Sequence, residues 1–333
     1  MQAQYAPSAY IGLWSRSEGL ALCDLTGALE QRRAIQATLM RSTIHVVSVR
    51  DFWLFAEGLR RARREWWTRT HGRHSARADL EGALEAVRNL LGDGSRRRDE
   101  LVDVCRGFDP AGGTTAWNGL PLDLVRVPPS GTWERRRADL FAAADAWLGP
   151  SNVDERQGLD HLLRRYLAGF GPARLNDAAN WAGVPVTFLA EAAGRLQLRS
   201  FRDVEGKELV DLPRLPLPTG DTPAPARFLP TWDATLLVHA RRTLILPEEL
   251  RPTVFTTKNP QSVATFLVDG VVAGIWRVER ASSRATLVLK PFERLPTTAL
   301  RALSDEGEGL VRFMEPDAVS YVVRARSPGS AAT

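Results

Sequence analysis

Apolar positions along this 333-residue chain fall into a recurring order, two short stretches with helical spacing followed by two stretches that alternate apolar and polar residues. In the first occurrence, Ile11 to Gly19 and Leu25 to Gln31 read as helices with Asp24 or Thr26 as a cap. Ile35 to Met40 and Ile44 to Val49 then read as strands about an Arg41-Ser42-Thr43 turn. A long helix capped by Asp51 comes next, its buried stripe predicted at Phe52, Phe55, Leu59, Ala62 and Trp66. In the second occurrence, helices over 78–91 and 98–105 flank a Gly92-Asp93-Gly94 turn, and a strand pair ends at Leu124 to Val127. Pro128-Pro129-Ser130-Gly131 stops that pair, and Trp133 to Leu148 reads as a helix. In the third, Gln157 to Ala168, Leu175 to Ala182 and Val186 to Gln197 are helical, and Leu198 to Val204 pairs with Glu208 to Leu212 about Glu205-Gly206-Lys207.

The order is that of a helix-turn-helix with a β-hairpin wing. It predicts an α+β fold of three tandem winged-helix units, 1–77, 78–150 and 151–213, with a small β-rich α+β domain over 227–326. Residues 213–226 hold five prolines, which marks a connector. In the last domain Phe228 to Leu229, Ser262 to Val268, Val271 to Val278 and Ala285 to Leu289 are strand-like, Asp269-Gly270 is a hairpin turn, and Thr298 to Phe313 is a helix.

Composition narrows the class. Hydrophobic residues make up 44% and charged residues 25%, which excludes disordered and fibrous chains. No apolar run approaches 18 residues, so no membrane span is expected and a cytoplasmic protein is. Cys23 and Cys105 have no Cys-x-x-Cys spacing, so neither a zinc site nor a disulfide framework is predicted, and both read as buried. The formal charge is +5, and the window 60–77 alone carries seven arginines against one glutamate. A concentrated cationic strip attracts polyanions. Because only three of the 44 basic residues are lysines, arginine abundance by itself reflects a coding bias; the clustering is the signal.

Read alone, Gln2-Ala3-Gln4 is a frayed terminus. Segments further along the chain lend the motif weight. Ile11-Gly12-Leu13-Trp14-Ser15-Arg16, the segment Leu39 to Val47 with Asp51, Val127-Pro128-Pro129-Ser130-Gly131-Thr132-Trp133, the segment Tyr166 to Ala173, Leu229-Pro230-Thr231-Trp232-Asp233, Val268-Asp269-Gly270 and Gly274-Ile275-Trp276-Arg277 occur in order over nearly the whole chain. Together they resemble the AlkZ-like and YcaQ-like winged-helix DNA glycosylases. That resemblance implies three winged helices around duplex DNA, a Gln-x-Gln motif beside the lesion, and hydrolysis of the N-glycosidic bond of alkylated purines. Members of the family carry a helix before the motif, so the first unit is expected to lack its opening helix and the true start to lie upstream.

Glutamine has no titratable group, so Gln2 and Gln4 are candidate catalytic residues only as orienters of water, through their amide oxygens. An N7- or N3-alkylated purine is already cationic and leaves readily, which suits such a site. In an extended segment the two side chains share a face, whereas in a helix they diverge by about 200°. Arg60, Arg61, Arg63 and Arg64 are candidate DNA contacts, as are Arg41, Thr43 and His45 on the first wing, although a strand histidine satisfied by its neighbours is an equal reading. Arg135, Arg136 and Arg137 are either a solvated run or phosphate contacts. His71 and His74 lack the companions of a metal set and read as part of the cationic strip, and Trp232 and Asp233 read as packing and capping residues. The expected partner is double-stranded DNA with alkylated purines, bound by a monomer that needs no cofactor, metal or membrane. The alternative is a non-catalytic DNA-binding protein or transcription regulator.

Overall fold

Helices and paired strands alternate along the chain in a computed structural model that describes residues 1–75, 78–92, 94–109, 115–238, 242–255 and 262–327. They form two compact units, Met1–Leu25 with Pro216–Thr333, and Thr26–Leu215. Helix α1 (Ala6–Trp14) opens the first unit, with Pro7 in the turn where a missing N–H is harmless. Helix α2 (Leu22–Glu30) runs across the division. Among the described residues no helix is long and apolar enough to cross a membrane.

The larger unit begins with β1 (Ala34–Thr38) and β2 (Ile44–Ser48), antiparallel with Ala37 opposite His45. Helix α3 (Val49–Ser75) starts earlier than expected, because the Ser48 hydroxyl accepts the Asp51 N–H at 3.2 Å and takes the capping role. Phe52, Phe55, Leu59 and Ala62 are buried as the stripe requires, but Trp66 is 48% exposed and Trp67 is buried in its place. Gly119 gives room for this exchange, since a Cβ there would collide with the Trp67 indole.

Next come α4 (Leu80–Leu91), capped by Asp79 through the Gly82 N–H at 2.9 Å, then β3 (Arg96–Arg97), α5 (Arg98–Arg106) and α6 (Thr115–Gly119). Strands β4 (Leu124–Arg126) and β5 (Leu140–Ala143) precede α7 (Ala144–Leu148). The helix expected over Trp133 to Leu148 is therefore absent except for its last turn. Ser130 is the cause: its hydroxyl accepts the N–H groups of Asp139 at 2.7 Å and Leu140 at 3.0 Å and donates to the Arg137 carbonyl at 3.0 Å. Those backbone groups are taken by a loop and cannot enter a helical ladder. The five strands make one sheet in the order β2-β1-β4-β5-β3, so the first two hairpin segments share a sheet.

Helix α8 (Glu155–Phe170) carries a reciprocal cap, with the Gln157 N–H on Asp154 at 2.8 Å and the Asp154 N–H on Gln157 at 2.9 Å. It packs against α3 at a glycine crossing, where a Cβ on Gly58 would lie 2.6 Å from the Gly158 carbonyl carbon. Helices α9 (Leu175–Ala182) and α10 (Val186–Arg195) come after it, and β6 (Arg199–Arg202) pairs with β7 (Glu208–Asp211) in a two-stranded sheet whose Val210 bridges to Ala173.

After residues 216–226, which hold no helix or strand, the first unit resumes with β8 (Arg227–Leu229), α11 (Arg251–Val254), β9 (Thr265–Val268), β10 (Val271–Ala281), β11 (Arg284–Pro291), α12 (Thr297–Met314) and β12 (Ser320–Ala325). Their sheet order is β12-β11-β10-β9-β8, with β12 added parallel to β11 by the crossover through α12. That last strand has no hairpin turn to announce it. The Asp269-Gly270 turn has positive φ at both residues, 50° and 78°, as a tight hairpin needs. The Trp276 indole N–H is buried and donates to the carbonyls of Leu229 and Thr265. Cys105 is buried, whereas Cys23 is exposed, contrary to the expectation for both.

Candidate functional site

Gln2 and Gln4 precede α1 in the unit Met1–Leu25 with Pro216–Thr333. The segment before Ala6 is not helical, and Gln2 forms a single-residue β-bridge. Gln2 is only 4% exposed while Gln4 is exposed at a bend, so the two amides sit in different environments. What fixes their segment is α1. The Ser8 hydroxyl meets the Thr231 hydroxyl at 2.9 Å, Trp14 stacks on Phe313 at 5.9 Å, and Tyr10 is fully buried.

The strongest restraint is Arg16. Its guanidinium donates to both oxygens of Asp233, at 2.7 and 3.1 Å, and also to the Gly12 carbonyl at 2.8 Å and the Thr235 hydroxyl at 2.9 Å. A fork-on-carboxylate contact is directional as well as attractive, so it sets the angle of the helix end and not only its distance. Asp233 is buried and also accepts the Thr235 N–H, which makes it the cap expected of it and an anchor that its place in the sequence did not announce. Both residues stand in segments that carried the family resemblance; only their pairing was hidden.

The turn between β1 and β2 packs inward. Arg41 and Ser42 adopt left-handed backbone with φ of 52° and 56°, and Gly183 fits against Arg41, where a Cβ would lie 2.9 Å from its Cα. The Arg41 guanidinium donates to the Trp181 carbonyl near the α9 C-terminus, and burial lowers its pKa to about 10. Thr43 donates its hydroxyl to the Met40 carbonyl at 3.0 Å. His45 is 3% exposed, and its Nδ1 donates to the Thr43 carbonyl at 3.0 Å. Burial pushes its pKa down to about 3, assisted by the Arg41 charge, so the ring is neutral across the physiological range. Of the two readings for His45, the satisfied strand residue is the one these contacts describe.

The cationic strip on α3 also has protein partners. Arg60 pairs with Glu57 at 3.0 Å and Asp123 at 2.5 Å, Arg61 pairs with Glu155 at 2.9 Å and lies over the Phe188 ring, and Arg63 faces Asp123 at 3.7 Å. Burial lowers the Arg63 pKa, with Asp123 opposing. Arg64 is exposed and has no acidic partner among the described residues. Arg135 and Arg137 both reach Asp139, at 3.5 and 3.1 Å, and Arg136 lies over the Trp133 ring at 5.5 Å. Residues 133–137 are thus a loop locked by Ser130 and Asp139 and not the start of a helix. The side chains of His71 and His74 lie outside the described residues.

The two-stranded β6–β7 hairpin was not among the candidate contacts. Val204 at its turn is fully exposed, and Arg202 and Lys207 flank the turn in sequence. A lone exposed valine in a charged turn was the available signal.

A family model described as AlkZ-like DNA glycosylase matches residues 1–313 of the chain. Among solved structures, the chain is similar to the Streptomyces sahachiroi DNA glycosylase AlkZ, with a TM-score of 0.76 over 98% of this chain and 91% of that one. The two are 20% identical, so this likeness is one of fold. No curated protein matches the chain in sequence.

Proposed function

Because the chain belongs to the AlkZ-like DNA glycosylase family, we propose that it hydrolyses the N-glycosidic bond of N7- or N3-alkylated purines in duplex DNA, with Gln2 and Gln4 holding the attacking water. The observation that carries this reading is the burial of Gln2 in a non-helical segment tied down by α1 and the Arg16–Asp233 fork. An amide dipole is useful to a developing positive charge only if it is already oriented, because reorientation during reaction would consume the stabilisation it offers. The leaving base carries its own positive charge, so no general acid is required, and water in place of a lysine amine makes the enzyme monofunctional.

In the same reading, the helix and hairpin segments of Thr26–Leu215 act as tandem winged helices that clasp DNA as a monomer, and the exposed β6–β7 hairpin enters a groove. Bulky adducts and interstrand crosslinks fit a water-orienting site that does not enclose the base, and protection from a DNA-alkylating metabolite is the corresponding role. Incubating the full chain with duplex that contains N7-methylguanine, and counting abasic sites after mild base treatment, tests the proposal. The Gln2→Ala, Gln4→Ala double variant is expected to lose about 10²- to 10³-fold in rate. Release no greater than that of the variant assigns the protein instead to non-catalytic DNA binding.

A further inference from the structure

Within the unit Thr26–Leu215 lies a cavity of about 840 Å³, bounded by the N-terminal part of α5, by α6, the middle of α3 and the β4 side of the sheet. That volume is within the range of about 300–1,000 Å³ usual for small-ligand sites. Five arginines line it, Arg60, Arg63, Arg64, Arg98 and Arg126, against the carboxylates of Glu81 and Asp123. Asp123 is already engaged by Arg60 and Arg63, and Arg98 has no acidic partner among the described residues.

Arg126 is the least satisfied of them. One Nη donates to the Thr38 hydroxyl at 3.1 Å, whereas Nε and Nη1 are sealed from solvent with no acceptor among the described residues. Buried charged donors without acceptors are more destabilising than neutral ones. An anion in the cavity removes that penalty. Arg98 and Arg126 line the same cavity, and the Arg98 charge adds to burial in lowering the Arg126 pKa. Aromatic surface lies beside them. Trp117 meets Phe141 edge-on at 5.8 Å and lies under the Arg98 guanidinium at 5.8 Å, while Trp66 lines the same cavity and is half exposed.

We infer that this cavity binds a nucleotide, with its phosphate on Arg98 and Arg126 and its base against Trp66 and Trp117. Guanidinium recognises phosphate through paired N–H donors, and every base offers a face to an indole, so the site reads the chemical class and not the base sequence. The inference rests on the nucleic-acid part of the function proposed above and not on the glutamine chemistry. The nucleotide is either free in solution or part of a bound strand.

Isothermal titration of the full chain with deoxyguanosine 5′-monophosphate, deoxyguanosine and inorganic phosphate tests it. Saturable binding of the monophosphate at least tenfold tighter than either fragment is expected, weakened tenfold or more in Arg126→Met and severalfold in Trp66→Ala. If Arg126→Met does not fold, Arg98→Met with Trp66→Ala carries the test, since both residues lie at the cavity without closing the sheet. No saturable binding, equal binding of inorganic phosphate, or unchanged binding in the folded variants overturns the inference. Displacement of a fluorescent duplex by the monophosphate identifies a strand nucleotide as the occupant, and binding without displacement identifies a free one; both support the site. Abasic-site formation in the wild type is scored separately, so a failed glycosylase reading leaves a binding heat, and a failed cavity leaves base release intact.

Discussion

The β1–β2 hairpin and the β6–β7 hairpin are written in the same pattern of alternating apolar and polar residues about a small polar turn, yet they are built into the protein in opposite ways. Strand β1 has a partner on each side, β2 and β4, and its three central residues are buried, including the polar Gln36. The β6–β7 pair stands as a two-stranded sheet, and every second residue of β6 is open to solvent. The first hairpin is covered on both edges of β1, whereas alternate residues of the second face solvent. Alternation specifies that a strand has two faces; it does not specify what covers the second one.

The contrast predicts its largest effect at two glycines of nearly equal φ. Gly131 has φ of 78° and faces the Gln36 carboxamide with no room for a Cβ, whereas Gly206, in the β6–β7 turn, has φ of 77° and nothing within 4 Å. Gly131→Ala is expected to lose about 3 kcal/mol or more of unfolding free energy through strain and overpacking together, and Gly206→Ala about 1 kcal/mol through strain alone. Equal losses in urea titrations would remove the distinction between a covered hairpin and an exposed turn.

Acid supplies the next comparison. The His45 pKa is depressed to about 3 from an ordinary 6.5, so the unfolded chain takes up a proton that the folded one refuses. Its effect on stability is therefore nil above about pH 6.5 and grows as pH falls toward 3, reaching about 2 kcal/mol at pH 5. His45→Gln should flatten the fall in stability between pH 7 and pH 5 relative to wild type. A variant curve parallel to the wild type would show that His45 is not sealed.

DNA binding ranks the arginines by their existing partners. Each phosphate contact steepens the fall of log affinity with log salt by about 0.9. Arg64→Ala is expected to flatten the slope by about one contact, while Arg61→Ala, whose guanidinium already holds Glu155, leaves it nearly unchanged. The reverse order in fluorescence anisotropy would mean that the Arg61 pair opens on binding. The smallest effect is expected at the exposed β6–β7 turn: Val204→Ser should change stability by less than about 0.5 kcal/mol, as exposed substitutions do, yet reduce duplex affinity severalfold. Unaltered affinity would remove β6–β7 from the DNA contact.

Much of this architecture was legible in local sequence, because local rules are sufficient where a residue acts on its neighbours. Asp154 with Gln157 announces the start of α8, Asp269-Gly270 announces a hairpin, and the stripe from Phe52 to Ala62 announces α3. Where two distant segments decide jointly, the pattern misleads. Trp133 to Leu148 has a helical look that Ser130 overrides by taking the backbone groups, and Trp66 gives its buried place to Trp67 because Gly119 opens a space beside it. The candidate arginines show the same division. Their clustering is a property of the sequence, but whether each charge is free depends on carboxylates as far away in the chain as Asp123 and Glu155.

The sequence by itself determined the helices and strands with clear caps and turns, the glutamine pair and the family it belongs to. Only tertiary structure decided that Arg16 grips Asp233, that Gly58 and Gly158 let two helices touch, and that Arg98 and Arg126 line one cavity. The physical reason is range: propensity and capping act over three or four residues, while close packing and charge pairing join groups more than two hundred residues apart, as at Arg16 and Asp233.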